Sequence, residues 1–375
     1  MPPTTKAHSV RLLALAGVVL FATLALLDYQ RVFSEVPYSS RAGALFTTSG
    51  GAAQCGADCP PDPFTAPGMI HWSATGQANE TRWLPFPRLG QPWDDAGKNV
   101  YELAKADAVP SQAWESAAPQ VAAALERGED VAWLKGRTVL FIDDRNNVQQ
   151  LCEVIRGKYY GWGNHIGGYC HDAARDLVLV NWFLFGMVDV EDKFPGTDPA
   201  PHVFEGRFEQ VFVPKMAETG LASRGVDLAV VSSLFWDALF FSAEAGAMGI
   251  DRAQAHGILW HEAAWFRARI HALFAAVRTL YPAAPVMFRT RQIREVHSYD
   301  QLLRVFQLDQ AARAVAKEDG VALFTWGEKL EGYTAYYDHD QHFALGPNTY
   351  LFGDMTFFYL RRAITPGCWR CRERE

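Results

Sequence analysis

The side chains best suited to moving protons sit in two short stretches. Tyr337-Asp-His-Asp-Gln-His342 sets Asp338, Asp340 and His342 close together, and Asp143-Asp144-Arg145-Asn146-Asn147 sets two carboxylates beside a guanidinium and two amides. An imidazole beside carboxylates is the pairing that takes up a proton and hands it on. The same residue types ligate metals, but Asp-His-Asp-x-His has no further element of matching ligands to close a coordination shell, so neither a metal nor a cofactor is expected. His256 and His261-Glu262 lack the His-Glu-x-x-His spacing of a zinc protease and read as helix positions. Ser232 and Ser233 stand at the C-terminal end of an apolar run, where α/β proteins gather their sites, yet outside the strand-to-helix elbow that activates a serine.

Gly136-Arg-Thr-Val-Leu-Phe-Ile-Asp-Asp-Arg-Asn-Asn-Val-Gln-Gln-Leu-Cys152 reads as a buried strand running through a turn into a helix. It resembles the signature segment of the SGNH (GDSL) acyl-esterase superfamily. Within that superfamily it is similar to the PC-esterase branch, which includes the trichome-birefringence-like polysaccharide O-acetyltransferases and many fungal membrane proteins. There a strand is followed by Gly-Asp-Ser-x-x-Arg-Asn. Here the Asp-Arg-Asn is kept, while Phe141-Ile142 abuts Asp143 and the three residues that would include the nucleophilic serine are missing. Asp143 is itself a carboxylate of the type that can attack covalently, but without the three-residue turn it falls short of the serine's position.

An acyl-transfer site of this kind needs a nucleophile, a His to take its proton, a carboxylate to orient that His, and donors for the oxyanion. The resemblance makes His342 the general base, with Asp338 or Asp340 as its partner, because His339 stands where the family places the carboxylate. Asp176-Leu-Val-Leu-Val-Asn-Trp-Phe-Leu-Phe-Gly-Met187 resembles the second block, which implies an oxyanion amide at Gly186; a turn glycine of positive φ is the other reading. Asp227-Leu-Ala-Val-Val-Ser-Ser-Leu-Phe-Trp-Asp237 resembles the third, which implies that Ser233, Trp236 and Asp237 line the site, Trp236 being equally suited to a core. Asp143, Asp144, Arg145 and Asn146 are then a remnant of the nucleophile turn, with Asn146 or Asn147 also fit to cap the helix. The Gly-Pro and Phe-Gly-Asp-Met pattern of residues 346–355 matches the head of the family's last helix.

Two functions follow. One is a glycan or polysaccharide O-acyl, chiefly O-acetyl, esterase or transferase of the secretory pathway, impaired by loss of its serine. The other is a non-catalytic SGNH-fold glycan-binding or assembly subunit. The gap is three residues long and in frame, so a misplaced splice boundary would also produce it.

The elements that must position these residues alternate. Apolar runs at Thr138–Ile142, Leu177–Asn181, Val226–Ser232, Pro285–Arg289 and Val321–Thr325 read as strands, with helical patterns at Asn146–Arg156, Arg252–Leu280 and Tyr299–Lys317 between them. That order predicts a three-layer, flavodoxin-like α/β body with a central parallel sheet, the SGNH-hydrolase architecture. Ser111–Arg127 carries a helical pattern that Pro119 breaks.

Ahead of the body at 111–375, residues 28–110 are rich in Gly, Pro, Ser and Thr and read as a stem that wraps the body. Leu12 to Leu27 is a run of sixteen apolar or small residues preceded by Lys6, His8 and Arg11. The run predicts a single-pass signal anchor with residues 1–11 cytosolic and the body in the lumen of the Golgi or ER; a cleaved signal peptide and a secreted body is the alternative. Asn79-Glu80-Thr81 is then a candidate glycosylation site. Six cysteines in such a chain predict disulfides: Cys152 with Cys170 in the body, and Cys55, Cys59, Cys368 and Cys371 tying stem to C-terminus or pairing locally. A four-cysteine zinc site is disfavoured by an oxidising lumen. A net charge of −7 without a Lys/Arg stripe argues against nucleic acid as a partner, while 12 Trp and 13 Tyr suit stacking on sugar rings as well as core packing. The expected partners are the membrane, through residues 12–27, and a glycan or acylated polysaccharide.

Overall fold

A computed structural model describes residues 54–375 apart from 57, 72–75, 87–98, 100, 102–110, 144, 164, 188–200, 250–256, 293–298, 334–336, 339–341, 370 and 372–375. Contacts divide the chain into two units, 1–53 and 54–375, and the first lies outside the described residues together with the expected tail, the expected anchor at 12–27 and much of the stem. Among the described residues no helix is long and apolar enough to cross a membrane.

Strands β1 (Gly68–His71) and β2 (Arg82–Pro85) form an antiparallel pair, followed by helices α1 (Ser111–Glu115) and α2 (Val121–Glu126). The gap between the two helices falls at Pro119, which has no N–H to continue a ladder. The body begins with β3 (Thr138–Ile142) and α3 (Asn146–Val154), then β4 (Lys158–Gly163), β5 (Gly167–Asp172) and β6 (Leu177–Trp182). Helix α4 (Phe204–Arg207) passes through a π-helical segment, Phe208–Phe212, into α5 (Val213–Glu218). Next come β7 (Leu228–Val231), α6 (Phe235–Ala247), α7 (Trp260–Leu280), β8 (Val286–Arg289), α8 (Tyr299–Glu318) and β9 (Ala322–Phe324). A two-strand ribbon, β10 (Tyr337–Asp338) and β11 (His342–Phe343), leads to α9 (Pro347–Ile364).

The main sheet has the order β4-β5-β6-β3-β7-β8-β9. The parallel strands β6, β3, β7, β8 and β9 are second, first, third, fourth and fifth among themselves, which is the flavodoxin-like order. Four of the five expected strands lie within the runs that named them, and β6 reaches one residue past its run, to Trp182. The expectation of a purely parallel sheet is corrected by β4 and β5, which join antiparallel on the β6 side. Their sequence, rich in Gly and Tyr, has no continuous apolar run because β4 is an edge strand with alternating exposure, whereas β6 is buried throughout.

Alternation along the strands creates two cores. Val139 and Phe141 of β3, Leu179 of β6 and Val230 of β7 face a cluster shared with α2, α3 and the almost wholly buried α9. Leu140, Ile142, Val180 and Val231 face the opposite cluster, with Phe208, Phe212, Phe266, Phe274 and Leu308 from the helices on that side. The result is three layers, with every parallel strand delivering its C-terminal end to one edge of the sandwich.

The disulfides are Cys152–Cys170, Cys55–Cys371 and Cys59–Cys368. The first links α3 to β5, and the other two tie the segment after residue 53 to the C-terminus, so local pairing is excluded. Helix α7 begins at Trp260 rather than Arg252, because Leu259 is extended (φ −75°, ψ 154°) and its N–H is taken by Glu262 Oε2 at 2.8 Å. Residues 252–256, His256 among them, lie outside the described residues, and His261 is exposed on the helix.

Candidate functional site

A pocket opens at the C-terminal ends of β3 and β7, the point where the order of the parallel strands reverses. Ligands of open α/β sheets gather at such a switch point because the loops leaving neighbouring strands diverge there and leave a crevice. Asp143 follows β3, Ser232 and Ser233 follow β7, Arg289 ends β8, and Leu184 and Gly186 come from the loop after β6.

Asp143 is fixed by its backbone and its side chain alike. Its N–H donates to Trp182 O (2.9 Å), and Asn181 Nδ2 donates to its carbonyl (3.1 Å). Its carboxylate faces two nitrogens of Arg289, with Nη2 donating to Oδ1 at 2.7 Å and Nε in ion-pair contact with Oδ2. Arg289 also gives Nη1 to Gln292 Oε1 (3.0 Å) and lies over the Trp326 ring at 5.8 Å. The two side chains are only 5% and 13% exposed, so this pair has left bulk water. Desolvating two ions costs several kcal/mol each, and only near-ideal geometry with further hydrogen bonds offsets it. A carboxylate gripped at both oxygens by a guanidinium makes a poor nucleophile and a poor base, since either role takes charge out of the pair.

The passage from β3 to α3 uses only residues 143–145, and Asp144 lies outside the described residues. Arg145 occupies the N-cap position, already in helical conformation (φ −82°, ψ −22°) and without a side-chain cap bond. The expectation that Asn146 or Asn147 caps the helix is therefore corrected. Both are within its first turn, and Asn147 is buried with its Nδ2 unpartnered among the described residues.

Asp237 is fully buried beneath the pocket. It accepts the Met187 N–H at 2.6 Å and a short hydrogen bond from Ser233 Oγ, so it clamps the loop after β6 to the head of α6. Gly186 has φ +101°, and a Cβ there would stand 2.7 Å from Asp237 Oδ1. Gly186 lines the pocket, and its positive φ in a space with no room for a side chain matches the turn-glycine reading. Trp236 also serves twice, lining the pocket while its ring stacks on Phe240 (5.9 Å, 21°) and meets Phe185 edge-on (5.6 Å).

In the β10–β11 ribbon Asp338 and His342 are direct Cα partners, while His339, Asp340 and Gln341 lie outside the described residues. The ribbon ends four residues before Pro347, the first residue of α9. Trp326 Nε1 donates to Asn348 O (2.9 Å) and Thr349 Oγ1 donates to Gln150 Oε1 (3.1 Å), so the head of α9 is anchored near Arg289's aromatic neighbour. The Phe352-Gly-Asp-Met355 pattern is structural. A Cβ at Gly353 would meet Leu151 Cδ1 at 2.7 Å and Ala122 Cβ at 2.8 Å, and Asp354 accepts the Ala122 N–H at 2.8 Å. Complete burial pushes the Asp354 carboxyl up to about 8, against the opposing pull of the Ala122 and Val121 amides and Arg82.

Sequence reasoning missed Arg289 and Gln292. The signal was present in Pro285–Arg289, an apolar strand that closes on a charged residue at the end where sites collect.

No protein-family model matches the chain, and no curated protein matches it. Among solved structures, an acetylxylan esterase (Axe2) from Geobacillus stearothermophilus aligns at 10% identity with TM-score 0.37, over 64% of this chain and 98% of that one. A GDSL-like lipase from Parabacteroides merdae aligns at 11% identity and TM-score 0.33, over 60% and 97%. LAE5, an α/β hydrolase from the metagenome of Lake Arreo, aligns at 13% and 0.34, over 64% and 99%. Scores this low leave the fold to be read from the chain's own topology and carry no argument about activity.

Proposed function

We propose that this chain is a glycan-recognising protein built on an acyl-esterase-like α/β body, whose switch-point pocket takes an O-acylated sugar without cleaving it. The observation that carries the reading is the Asp143–Arg289 pair: the turn after β3, which carries the serine in the family this segment resembles, here brings to the pocket a carboxylate committed to a guanidinium. Ser232, Ser233 and Gln292 furnish hydroxyl and amide groups around it, the kind of convergent polar set that orients a small ligand. The PC-esterase-like blocks support a polysaccharide as the class of ligand, with an O-acetyl group as the acyl substituent.

Three disulfides support folding in an oxidising compartment, hence a body in the lumen of the Golgi or ER behind a signal anchor at 12–27, or secreted after cleavage. Asn79 Nδ2 donates to Glu126 Oε2 (3.0 Å) and Thr81 is buried, so a glycan at Asn79 has to be attached before this region folds.

A second reading, acyl transfer by a serine relay, is favoured by the register that sets Asp338 opposite His342. One experiment separates the two. Binding to an O-acetylated polysaccharide and acetate release are measured for the parent chain, for a chain with Gly-Asp-Ser inserted between Ile142 and Asp143, and for each with His342→Ala. The expected result is binding without release by the parent, and release by the insertion chain that His342→Ala abolishes. Acetate release by the parent that depends on His342 would falsify the binding reading.

A further inference from the structure

We infer that the pocket selects a neutral sugar unit whose acetyl carbonyl stands beside an unsubstituted hydroxyl, and that Gln292 is the residue that reads the carbonyl. This rests on the glycan reading of the pocket and narrows it to one class of ligand. Arg289 Nη1 donates to Gln292 Oε1 at 3.0 Å. A guanidinium only donates, so the amide has one orientation open to it, with Oε1 toward Arg289 and the NH2 group turned away. Nε2 has no partner among the described residues, and Gln292 is half-buried where it lines the pocket. It therefore offers a ligand a donor and nothing else.

Ser233 is polarised the other way. Its hydroxyl hydrogen is committed to Asp237, the fully buried carboxylate that also accepts the Met187 N–H, so only the oxygen's lone pairs are left for a ligand. Ser232, with no side-chain partner among the described residues, can serve either way and does not discriminate. Leu184, Leu234 and Val305 add apolar wall suited to a methyl group. Asp143 and Arg289, the charged residues lining the pocket, neutralise each other and leave no net charge to hold an anionic sugar. One donor, one acceptor and an apolar wall match an acetyl ester with a hydroxyl beside it. The carbonyl accepts from Gln292 Nε2, the hydroxyl donates to Ser233 Oγ, and the methyl meets the wall. An acetamido sugar presents the same pair through its C=O and N–H, so it is the competing source of this chemistry.

The position of Gln292 is fixed from outside the pocket. Thr290 N–H donates to Phe324 O at 3.1 Å, and Arg291 gives its N–H to Asp309 Oδ1 (3.0 Å) and its Nη1 to Oδ2 (2.8 Å). Asp309 is fully buried on α8. Gly327 lets the strand end pass, since a Cβ there would come 2.9 Å from Gln292 Cα. A backbone tied at 290 and 291 holds the amide at 292 in place before a ligand arrives, which lowers the ordering cost of binding.

The test titrates the full chain with methyl glycosides of xylose, mannose and glucose, followed by ligand-observed NMR. Each glycoside carries one O-acetyl group, or the same group with the hydroxyls next to the ester replaced by hydrogen, or no acetyl group; methyl N-acetylglucosaminide is added to the set. The parent is compared with Gln292→Glu, which keeps the shape but replaces the donor by an acceptor, and Gln292→Met, with thermal melting as the check on folding. The parent is expected to bind a singly acetylated glycoside about tenfold more tightly than its deoxy counterpart, and both variants to lose about tenfold in that affinity. Equal affinity of the parent for the hydroxylated and deoxy esters, or undiminished binding by a folded Gln292→Glu, overturns the inference. Should neither variant fold, the parent's preference between those two esters decides it alone. The pocket reading fails separately, when singly acetylated glycosides bind no better than unacetylated ones or when the N-acetylated glycoside binds most tightly.

Discussion

At the scale of single residues, two buried carboxylates hold opposite positions. Asp143 is stabilised as an anion by Arg289, and with 5% and 13% exposure neither partner has water to turn to. Arg289→Met therefore leaves an uncompensated charge, and we expect a loss of about 3–5 kcal/mol in urea unfolding. Asp143→Leu together with Arg289→Met should recover much of that loss, because the cost lies in the stranded ion rather than in the missing attraction. A double variant no more stable than the single one would show that the pair is held for packing. Asp354 is the reverse case, kept neutral by burial with its carboxyl raised to about 8. The folded state then binds a proton that the unfolded state has released above about pH 4. Its contribution is full below that pH and is lost as pH rises through about 8, so stability declines across the interval. Asp354→Asn should flatten a plot of melting temperature against pH between 4 and 8; an unchanged slope would assign the decline to other groups.

Among the elements, the loop after β6 is the one whose conformation the pocket cannot spare. Gly186 combines φ +101° with the Asp237 carboxylate in the space a Cβ would need. Gly186→Ala is expected to cost about 1–3 kcal/mol in backbone strain alone. It should also weaken acetylated-polymer binding by moving the loop off the Met187–Asp237 hydrogen bond. Retained stability with lost binding would locate the effect in the pocket, and retention of both would contradict the clamp. The β4–β5 hairpin was missed in the sequence for an equally physical cause. An edge hairpin earns no continuous apolar run, and its pattern is set by its neighbour β6 and by Gly163 and Gly167, whose φ values are +144° and +118°. By contrast β3, β6, β7 and β8 are buried on both faces, and burial on both faces writes itself as an uninterrupted apolar run.

Over the whole molecule, Cys55–Cys371 and Cys59–Cys368 close loops with separations of 316 and 309 residues, and they lie side by side. Once one is formed the other closes only the few residues between them. Removing a single bridge by paired Cys→Ser changes should therefore cost about 2 kcal/mol, while removing both should cost well over twice that. Additive losses from the two single removals would mean that each bridge holds its own local structure. The sequence by itself determined the five parallel strands, the break at Pro119, the pairing of Cys152 with Cys170, and a glycine at position 186, because burial, missing donors and backbone freedom act over a few residues. It also set Asp143 directly after the first strand of the body. Only the tertiary structure decided what that carboxylate meets. Arg289 lies 146 residues from Asp143, and the two meet because β8 and β3 deliver their C-terminal ends to the same edge of one sheet, on either side of β7. Local patterning carries no record of such a meeting, since strand order is fixed by how two apolar faces are covered and not by any residue in the strands that come together.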